Sequence, residues 1–180
     1  MYIFRIQTQI FESDHLRLGP IDYDKDPAVE SRWTHDPTYQ HGLGLSPARP
    51  LSPAQMKKKY EAIEKSIEEG HSTFHFMVTS KEDDRLIGMA RIEWIEWSHG
   101  VGELKLAIGD LQERRKGYGS ELMELMLRFA FDELNLYRLN VVVGEDNTAG
   151  LALLKKFGFV EEVRRRKALH RNGQYLDLLH

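Results

Sequence analysis

The spacing of hydrophobic and polar positions along this 180-residue chain changes repeatedly, and each pattern predicts an element. Alternating or β-branched apolar residues predict strands, and short polar turns between three of them favour an antiparallel meander. Asn172-Gly173 predicts a closing hairpin, because this dipeptide suits a tight turn between strands. The predicted strands cover 15–22 (broken at Gly19-Pro20), 72–80, 85–97, 101–109, 137–144 and the two segments that flank the Asn172-Gly173 turn.

Helical spacing predicts four helices. The clearest begins at Ser52, which can cap it, with Pro53 in the first turn and Gln55 at the capping-box position. The predicted helices are 26–33, 52–70, Leu122 to about Leu134, and 147–158. The Gly- and Pro-rich segment 34–50 predicts a long loop, which is a candidate substrate flap. Together the elements predict one α/β (α+β) domain over 1–180, with a mostly antiparallel sheet and one strand–helix–strand unit.

The amino-acid composition excludes several classes of function. The net charge of −3 and pI near 6.2 argue against a protein that coats nucleic acid. The absence of cysteine excludes disulfides, thiolate metal sites and a cysteine nucleophile. No apolar run is long enough to cross a bilayer, and the N-terminus lacks the apolar core of a signal peptide, so we expect a cytoplasmic protein without a membrane partner. Neither an H-E-x-x-H motif nor a G-x-S-x-G motif occurs, so we expect no metal and no serine triad.

The stretch "QERRKGYGSEL" (112–122) combines three cations and two glycines with the start of an amphipathic helix. Helix N-termini carry unpaired N–H groups and a partial positive charge, which predicts an anion site, most simply for phosphate. The pattern is not a P-loop. It is not a dinucleotide fingerprint either, because Leu122 stands where the third glycine would be.

What remains is Arg114-x-x-Gly117-x-Gly119, between a strand and a helix. This resembles the pyrophosphate loop of the GNAT superfamily of acetyl-CoA-dependent N-acetyltransferases. The later Asn147 and the "KKFGF" of 155–159 are similar to a second family signature. The early "LRL…W…DP" and the late "G-x-Y-x-D" (173–177) resemble the branch that acetylates ribosomal-protein N-termini. The resemblance implies a GNAT fold, with a mixed, mostly antiparallel sheet of six to seven strands and about four flanking helices.

The resemblance also implies where acetyl-CoA binds as the acetyl donor. The strand backbone would hold the pantetheine arm, the glycine loop the pyrophosphate, and Asn147 the arm again. For Arg115 and Lys116 a purely solvated role is an equal alternative, Asn147 is also an ordinary N-cap, and Lys155 or Lys156 also suits a helix C-terminus. The implied donor-binding residues are Leu106, Ala107, Ile108, Arg114, Arg115, Lys116, Gly117, Tyr118, Gly119, Ser120, Asn147 and Lys155.

For catalysis, the resemblance implies that Glu103 acts as the general base that deprotonates the acceptor amine. The alternative is a simple pair with Lys105 on the same strand face. Glu93 and Glu96 are further candidates, for the base or for an acidic acceptor pocket. The usual acids that protonate the leaving thiolate are replaced by Leu154 and Gly150, which leaves solvent, Tyr118, Tyr175 or His170.

Trp33 and His35, before the predicted flap, are candidate substrate contacts. The implied activity is acetyl transfer to a primary amine, which could be a protein N-terminus, a polyamine, an amino acid or an aminoglycoside. A non-catalytic acyl-CoA-binding or sensing domain and a structural partner subunit are the alternatives. A monomer and a homodimer are equally compatible with the sequence.

Overall fold

The computed structural model describes residues 9–44 and 47–180. Residues 1–8 of the N-terminus discussed above, and residues 45 and 46 of the predicted 34–50 loop, therefore lie outside the described residues. The described strands are β1 (Leu16–Gly19), β2 (Phe74–Ser80), β3 (Leu86–Glu96), β4 (Val101–Ile108), β5 (Arg138–Asn140), β6 (Val143–Gly144), β7 (Arg164–Arg171) and β8 (Gln174–Leu179). The described helices are α1 (Asp26–Trp33), α2 (Pro37–Leu43), α3 (Pro53–Gly70), α4 (Tyr118–Arg128) and α5 (Thr148–Lys156).

The strands form two sheets. The larger has the order β1-β2-β3-β4-β5, antiparallel except for the parallel pair β4–β5. The smaller has the order β6-β8-β7 and is antiparallel throughout. The predicted α/β class and mostly antiparallel sheet are therefore confirmed, as is the hairpin at Asn172-Gly173.

The predicted strand 137–144 is divided, which is why the described residues form eight strands in two sheets rather than one sheet of six or seven. Its first part, β5, pairs with β4, whereas its second part, β6, pairs with β8. Val141 and Val142 belong to neither strand. The division separates the edge of β4 from the chain that would otherwise continue beside it.

Helices cover both faces of the larger sheet. On one face, the apolar side of α4 packs a core that includes Leu122, Leu125 and Met126, all fully buried. On the other face, Met56 and Tyr60 of α3 pack against Met77 and Met89 of the sheet. The start of α3 is as predicted, because the Ser52 side chain and the Gln55 side chain each satisfy the other's backbone N–H.

The predicted 34–50 loop contains the helix α2. Asp36 caps it by accepting a hydrogen bond from the backbone N–H of Thr38, and Pro37 occupies the first turn. This helix contacts β4, so the segment packs against the sheet rather than only connecting neighbouring elements. Within the described parts of the chain, no helix combines the length and apolar character needed to span a membrane.

Candidate active site

A gap opens where β4 and the divided strand part. Parallel pairing between β4 and β5 ends at Glu103 opposite Asn140, so among the described residues no strand pairs with the edge of β4 that faces away from β3 from Leu104 onward. The gap contains a cavity of about 60 Å³. It is lined by Gly42, Leu43, Leu104, Lys105, Leu106, Met123, Val141, Val142, Val143, Asn147, Gly150, Leu153 and Leu154.

The backbone of β4 presents Leu106 to this gap. The N–H of Gly109 donates to the carbonyl of Ile87 on β3 at 2.8 Å, so Gly109 faces β3. Successive peptide groups of a strand point to opposite edges, so those of Leu106 and Ile108 face away from β3. The Ile108 carbonyl accepts a hydrogen bond from Arg114 Nε at 2.9 Å, whereas the Leu106 N–H and carbonyl lie at the open edge. An extended chain of amide groups would find strand-like partners there.

The glycine loop lies at the N-terminus of α4. Gly117 caps this helix with φ +93°, a left-handed conformation that favours glycine, and a Cβ there would meet no atom within 4 Å. The Gly117 carbonyl accepts from Ser120 and Glu121, while the N–H groups of Tyr118 and Gly119 precede the first possible helical bond. These two N–H groups and the helix dipole make the turn suited to an anion.

Arg114 is anchored on both sides of the loop. Besides its bond to Ile108, its Nη2 forms an ion pair of 2.9 Å with Asp36 Oδ2. Partial burial alone would raise the pKa of Asp36, but the Thr38 N–H and the Arg114 guanidinium hold the pKa below its usual value. The arginine of the motif therefore connects β4, α2 and the glycine loop.

The other two cations of the glycine loop, Arg115 and Lys116, differ in their contacts and exposure. Lys116 Nζ pairs with Glu113 at 2.9 Å, and this bond raises the pKa of Lys116. Glu113 is buried and also pairs with Arg85, so it is anchored from both sides. Arg115 is exposed and its φ of +63° is left-handed. Lys116 is thus partly neutralised within the loop, whereas Arg115 extends toward solvent.

Asn147 and α5 form the far wall of the gap. The Asn147 side chain caps α5 by accepting from the Gly150 N–H at 2.9 Å, and its residue also lines the cavity. Both interpretations of this residue are therefore compatible. Lys156 Nζ donates to Ser120 Oγ at 2.9 Å, joining the end of α5 to the first turn of α4. The predicted Lys155 is exposed beside it.

The candidate carboxylates lie on β3 and β4. Glu93 and Glu103 are directly opposite each other in the antiparallel register. Lys105 Nζ contacts Glu93 and lies 3.4 Å from Glu103 Oε1, and Arg91 Nε lies 2.8 Å from Glu93 Oε2. The expected Glu103–Lys105 pair is therefore present, in a larger cluster. Glu96 lies beyond an irregularity in the register and is exposed.

The candidate acids lie outside the cavity. Tyr118 packs beside the His15 ring, at 6.2 Å between centroids. His170 and Tyr175 stack on each other on the β7–β8 hairpin, at 4.6 Å. None of the three lines the cavity in the described part of the structure, whereas Leu154 and Gly150 do. The gap wall is consequently apolar where an acid would be expected.

Trp33 and His35 lie apart from the gap. Trp33 is 8% exposed, with its ring against Gly109 and Tyr39, so it belongs to the second core and only its rim borders a separate surface cleft. His35 follows α1 and is exposed. The structure therefore does not bring these two candidates together with Glu93 and Glu103.

Several residues at the gap were not identified from the sequence. Arg91 precedes Glu93 by two positions, so strand alternation places both on one face, and this was the available signal. Gly42 and Leu43 end α2, which the Asp36-Pro37 start signal could have revealed. Val141 and Val142 carried no signal, because they continue an apolar run. Among residues 9–44 and 47–180, no three His, Cys, Asp or Glu side chains are grouped to hold a metal ion.

Comparison with known sequences gives several relatives. The chain is 25% identical over 166 residues to the uncharacterized N-acetyltransferase p20 of Bacillus licheniformis, and the match covers 92% of this chain and 90% of that protein. It is 32% identical over 114 residues to an N-acetyltransferase 9-like protein of Caenorhabditis briggsae, which covers 58% of this chain. The chain spans about 57% of the length of that second relative.

Solved structures share the fold. The spermidine N-acetyltransferase of Vibrio cholerae, in complex with CoA and spermine, superposes with a TM-score of 0.78 at 22% identity, covering 93% of this chain and 94% of that one. A ribosomal-protein-S5-alanine acetyltransferase of Vibrio fischeri gives 0.76 at 19% identity, covering 94% and 92%. At these identities the likeness concerns the fold, which is the one that the sequence resemblance implied. Residues 15–160 match the acetyltransferase (GNAT) domain family, whose members use acetyl-CoA. The chain therefore belongs to the GNAT family of acetyltransferases.

Proposed function

We propose that this chain transfers the acetyl group of acetyl-CoA to a primary amine by direct attack of that amine on the thioester. The observation that carries the proposal is the path of the chain from the open edge of β4 at Leu106 to the glycine turn at Gly117, where α4 begins. A strand edge suits the amide groups of pantetheine, and a helix N-terminus suits a pyrophosphate. The path has both, in the order in which coenzyme A would need them.

Donor binding would use the residues along that path. The backbone of Leu106 would pair with the pantetheine arm, with Asn147 and Val141 on the opposite wall. The N–H groups of Tyr118 and Gly119 would donate to pyrophosphate oxygens, supported by the charges of Arg114 and Arg115. We keep Ala107 and Ile108 as contacts through their strand position, Ser120 through its place in the first turn of α4, and Lys155 for the nucleotide end.

Glu103 would act as the general base. An alkyl ammonium must lose a proton before its nitrogen can attack the carbonyl carbon. Glu103 lies at the point where β4 and β5 separate, so an acceptor reaching the thioester in the gap would pass this carboxylate. As the new C–N bond forms and the C–S bond breaks, the thiolate takes up a proton. We assign that proton to solvent, because the described wall near Leu154 is apolar.

The proposal includes a cytoplasmic setting, in keeping with the cysteine-free composition. Relatives and neighbours differ in acceptor, since one neighbour carries the name of spermidine and another that of a ribosomal protein. A peptide N-terminus, a polyamine, an amino acid and an aminoglycoside therefore all belong in the test, as do the monomer and the homodimer.

The test is acceptor-dependent release of thiol from acetyl-CoA, followed with a thiol reagent. The chain suits this assay because it contains no cysteine to react. Glu103→Gln should retain donor binding, measured by calorimetry, and lose the acidic limb of the pH–rate profile, which reports deprotonation of the base, together with about a hundredfold or more in kcat. Binding of acetyl-CoA without release of thiol on any amine would contradict the proposal and favour a sensing domain.

Glu82→Gln is the matched control, because Glu82 is an exposed glutamate in the turn between β2 and β3. It should leave kcat and the pH profile unchanged. An equal loss of kcat in both variants would show that general acidity of the surface, rather than a base at position 103, supports the reaction.

A further inference from the structure

Four charged side chains form a cluster on the face of the sheet beside the gap. Arg91 and Glu93 are on β3, and Glu103 and Lys105 are on β4. The register places Arg91 opposite Lys105 and Glu93 opposite Glu103, so like charges are paired across the strands. The diagonal neighbours have opposite charges, and Lys105 is the residue in contact with both carboxylates.

The cluster is partly removed from water. The side chains of Glu93, Arg91, Lys105 and Glu103 are 12%, 18%, 21% and 25% exposed. Two carboxylates and two cations sum to zero charge. The candidate base therefore does not lie in an acidic pocket, although the sequence suggested one from Glu93 and Glu96.

This charge balance determines the free-energy cost of bringing each class of acceptor to Glu103. An incoming ammonium that approaches Glu103 must compete with Lys105 Nζ, which lies 3.4 Å from it. A polyamine would bring several positive charges next to Lys105 and Arg91 without any partner for them, at a cost that partial burial increases. A molecule that carries an ammonium and a carboxylate close together can exchange into the pair instead. Its ammonium replaces Lys105 at Glu103, and its carboxylate replaces Glu103 at Lys105.

The position of Lys105 favours this exchange. Lys105 lines the same cavity as Leu104 and Leu106, and this is the cavity in which the proposed function puts the thioester. The contact between Lys105 and Glu93 would keep Lys105 near the gap when Glu103 binds the ammonium of an acceptor. Arg91, on the other side of Glu93, adds a second cation on the same face.

We propose that Lys105 determines acceptor specificity, and that the site takes zwitterionic acceptors, in which an amine and a carboxylate are close together, in preference to polyamines. This inference rests on the proposed function and narrows its acceptor class. Free amino acids and peptides that begin with an acidic residue have the required chemistry. Spermidine and aminoglycosides do not.

The experiment compares three acceptors on the full chain: the C-terminally amidated peptides Asp-Ala-Ala and Asn-Ala-Ala, and spermidine. The two peptides differ only in one carboxylate. We expect the kcat/KM for the Asp peptide to exceed that for the Asn peptide and for spermidine by tenfold or more. Lys105→Gln should abolish the preference between the peptides and raise the kcat/KM for spermidine. Lys105→Arg, which keeps the charge, should restore the preference for the Asp peptide.

Melting temperature and acetyl-CoA affinity, measured on each variant, separate loss of specificity from loss of fold. A peptide ratio that is the same in the natural chain and in Lys105→Gln would overturn the inference, as would faster turnover of spermidine by the natural chain. Both outcomes leave the proposed function intact, because acetyl is still transferred to an amine. Absence of transfer to every amine would overturn the proposed function and this inference with it.

Discussion

Arg114 and Asp36 join the glycine loop to α2 through an ion pair of 2.9 Å between Nη2 and Oδ2. Asp36 has two tasks, because its other interaction is the cap on the Thr38 N–H. The charge of Asp36 also neutralises an arginine that the proposed donor site would need for phosphate. Substitution can separate these tasks.

Asp36→Asn should tighten acetyl-CoA binding by about two- to fivefold, in line with the ~0.5–1 kcal/mol of an accessible ion pair. Asparagine retains the cap on α2, so the unfolding free energy should change little. Asp36→Ala should lose the cap as well and destabilise the chain by about 1 kcal/mol. Calorimetric titration and chemical denaturation of both variants measure the two effects. Weaker binding in Asp36→Asn would mean that the pair positions Arg114 rather than competing for it.

Gly117 and Gly119 should respond differently to alanine. Gly117→Ala puts a Cβ at φ +93°, which costs about 1 kcal/mol of stability even though the space around it is open. Gly119→Ala meets only Leu153 at 3.9 Å and lies inside α4, so it should stabilise the fold by about 0.5 kcal/mol. Because a phosphate would approach the Gly119 N–H closely, the same variant should nevertheless weaken acetyl-CoA binding by tenfold or more. Denaturation and titration of one sample test both, and unchanged affinity would exclude this turn as the phosphate site.

Gly109→Ala should be among the most damaging single substitutions. A Cβ at this position would lie 2.1 Å from the Trp33 ring, too close for either to remain in place. Overpacking of this kind costs about 1–3 kcal/mol, and here the ring is buried and held by Tyr39. The double variant Gly109→Ala/Trp33→Leu should lose less free energy of unfolding than the sum of the losses measured in the two single variants. Thermal and urea unfolding of the double-mutant cycle give that coupling, and additive effects would contradict direct contact.

His75 should make the chain sensitive to mild acid. Burial, together with the nearby cations Arg91 and Lys59, lowers the pKa of His75 from 6.5 to about 3. Its Nδ1 has no hydrogen-bond partner within the described residues. Below pH 6.5, His75 is therefore protonated in the unfolded chain but stays neutral in the folded chain. The contribution of neutral His75 to the free energy of unfolding is complete above pH 6.5 and is lost as the pH falls toward 3.

His75→Gln removes that titration while keeping a polar side chain. Between pH 6 and pH 4 the natural chain should lose about 1.4 kcal/mol per pH unit more than the variant, because one proton is taken up on unfolding. Urea denaturation at several pH values measures the two slopes. Groups that titrate in both proteins cancel in the comparison, and parallel slopes would mean that His75 is protonated in the folded chain.

Much of the fold follows from local signals. The capping box of Ser52 and Gln55 and the Asn172-Gly173 turn act over a few residues, so the sequence is enough to predict them. The division between β5 and β6 could not be predicted, because Val141 and Val142 belong to an unbroken apolar run and the break depends on which strand each half pairs with. Pairing partners are a property of the whole chain.

The site shows the same contrast. The glycine motif identifies a turn from a few consecutive residues, and the structure places Gly117 in the left-handed conformation that such a turn needs. Apart from the expected pair with Lys105, the surroundings of Glu103 could not be predicted, because they depend on the register between β3 and β4, which shifts between Glu93 and Glu96. Without that register, Arg91 and Glu93 of β3 cannot be placed beside Glu103 and Lys105 of β4, and the balance of the four charges cannot be predicted.

The pairing of β6 with Leu178 and Leu179 links the cavity to the end of the β7–β8 hairpin. Val143 lines the gap, and its strand partner is Leu179, which lies far beyond the glycine turn in the chain. A growing polypeptide would therefore carry the glycine turn long before it carried a complete opposite wall. The affinity for acetyl-CoA should therefore report whether the β7–β8 hairpin has docked on β6. Acetyl-CoA present during refolding should accelerate or stabilise that docking specifically.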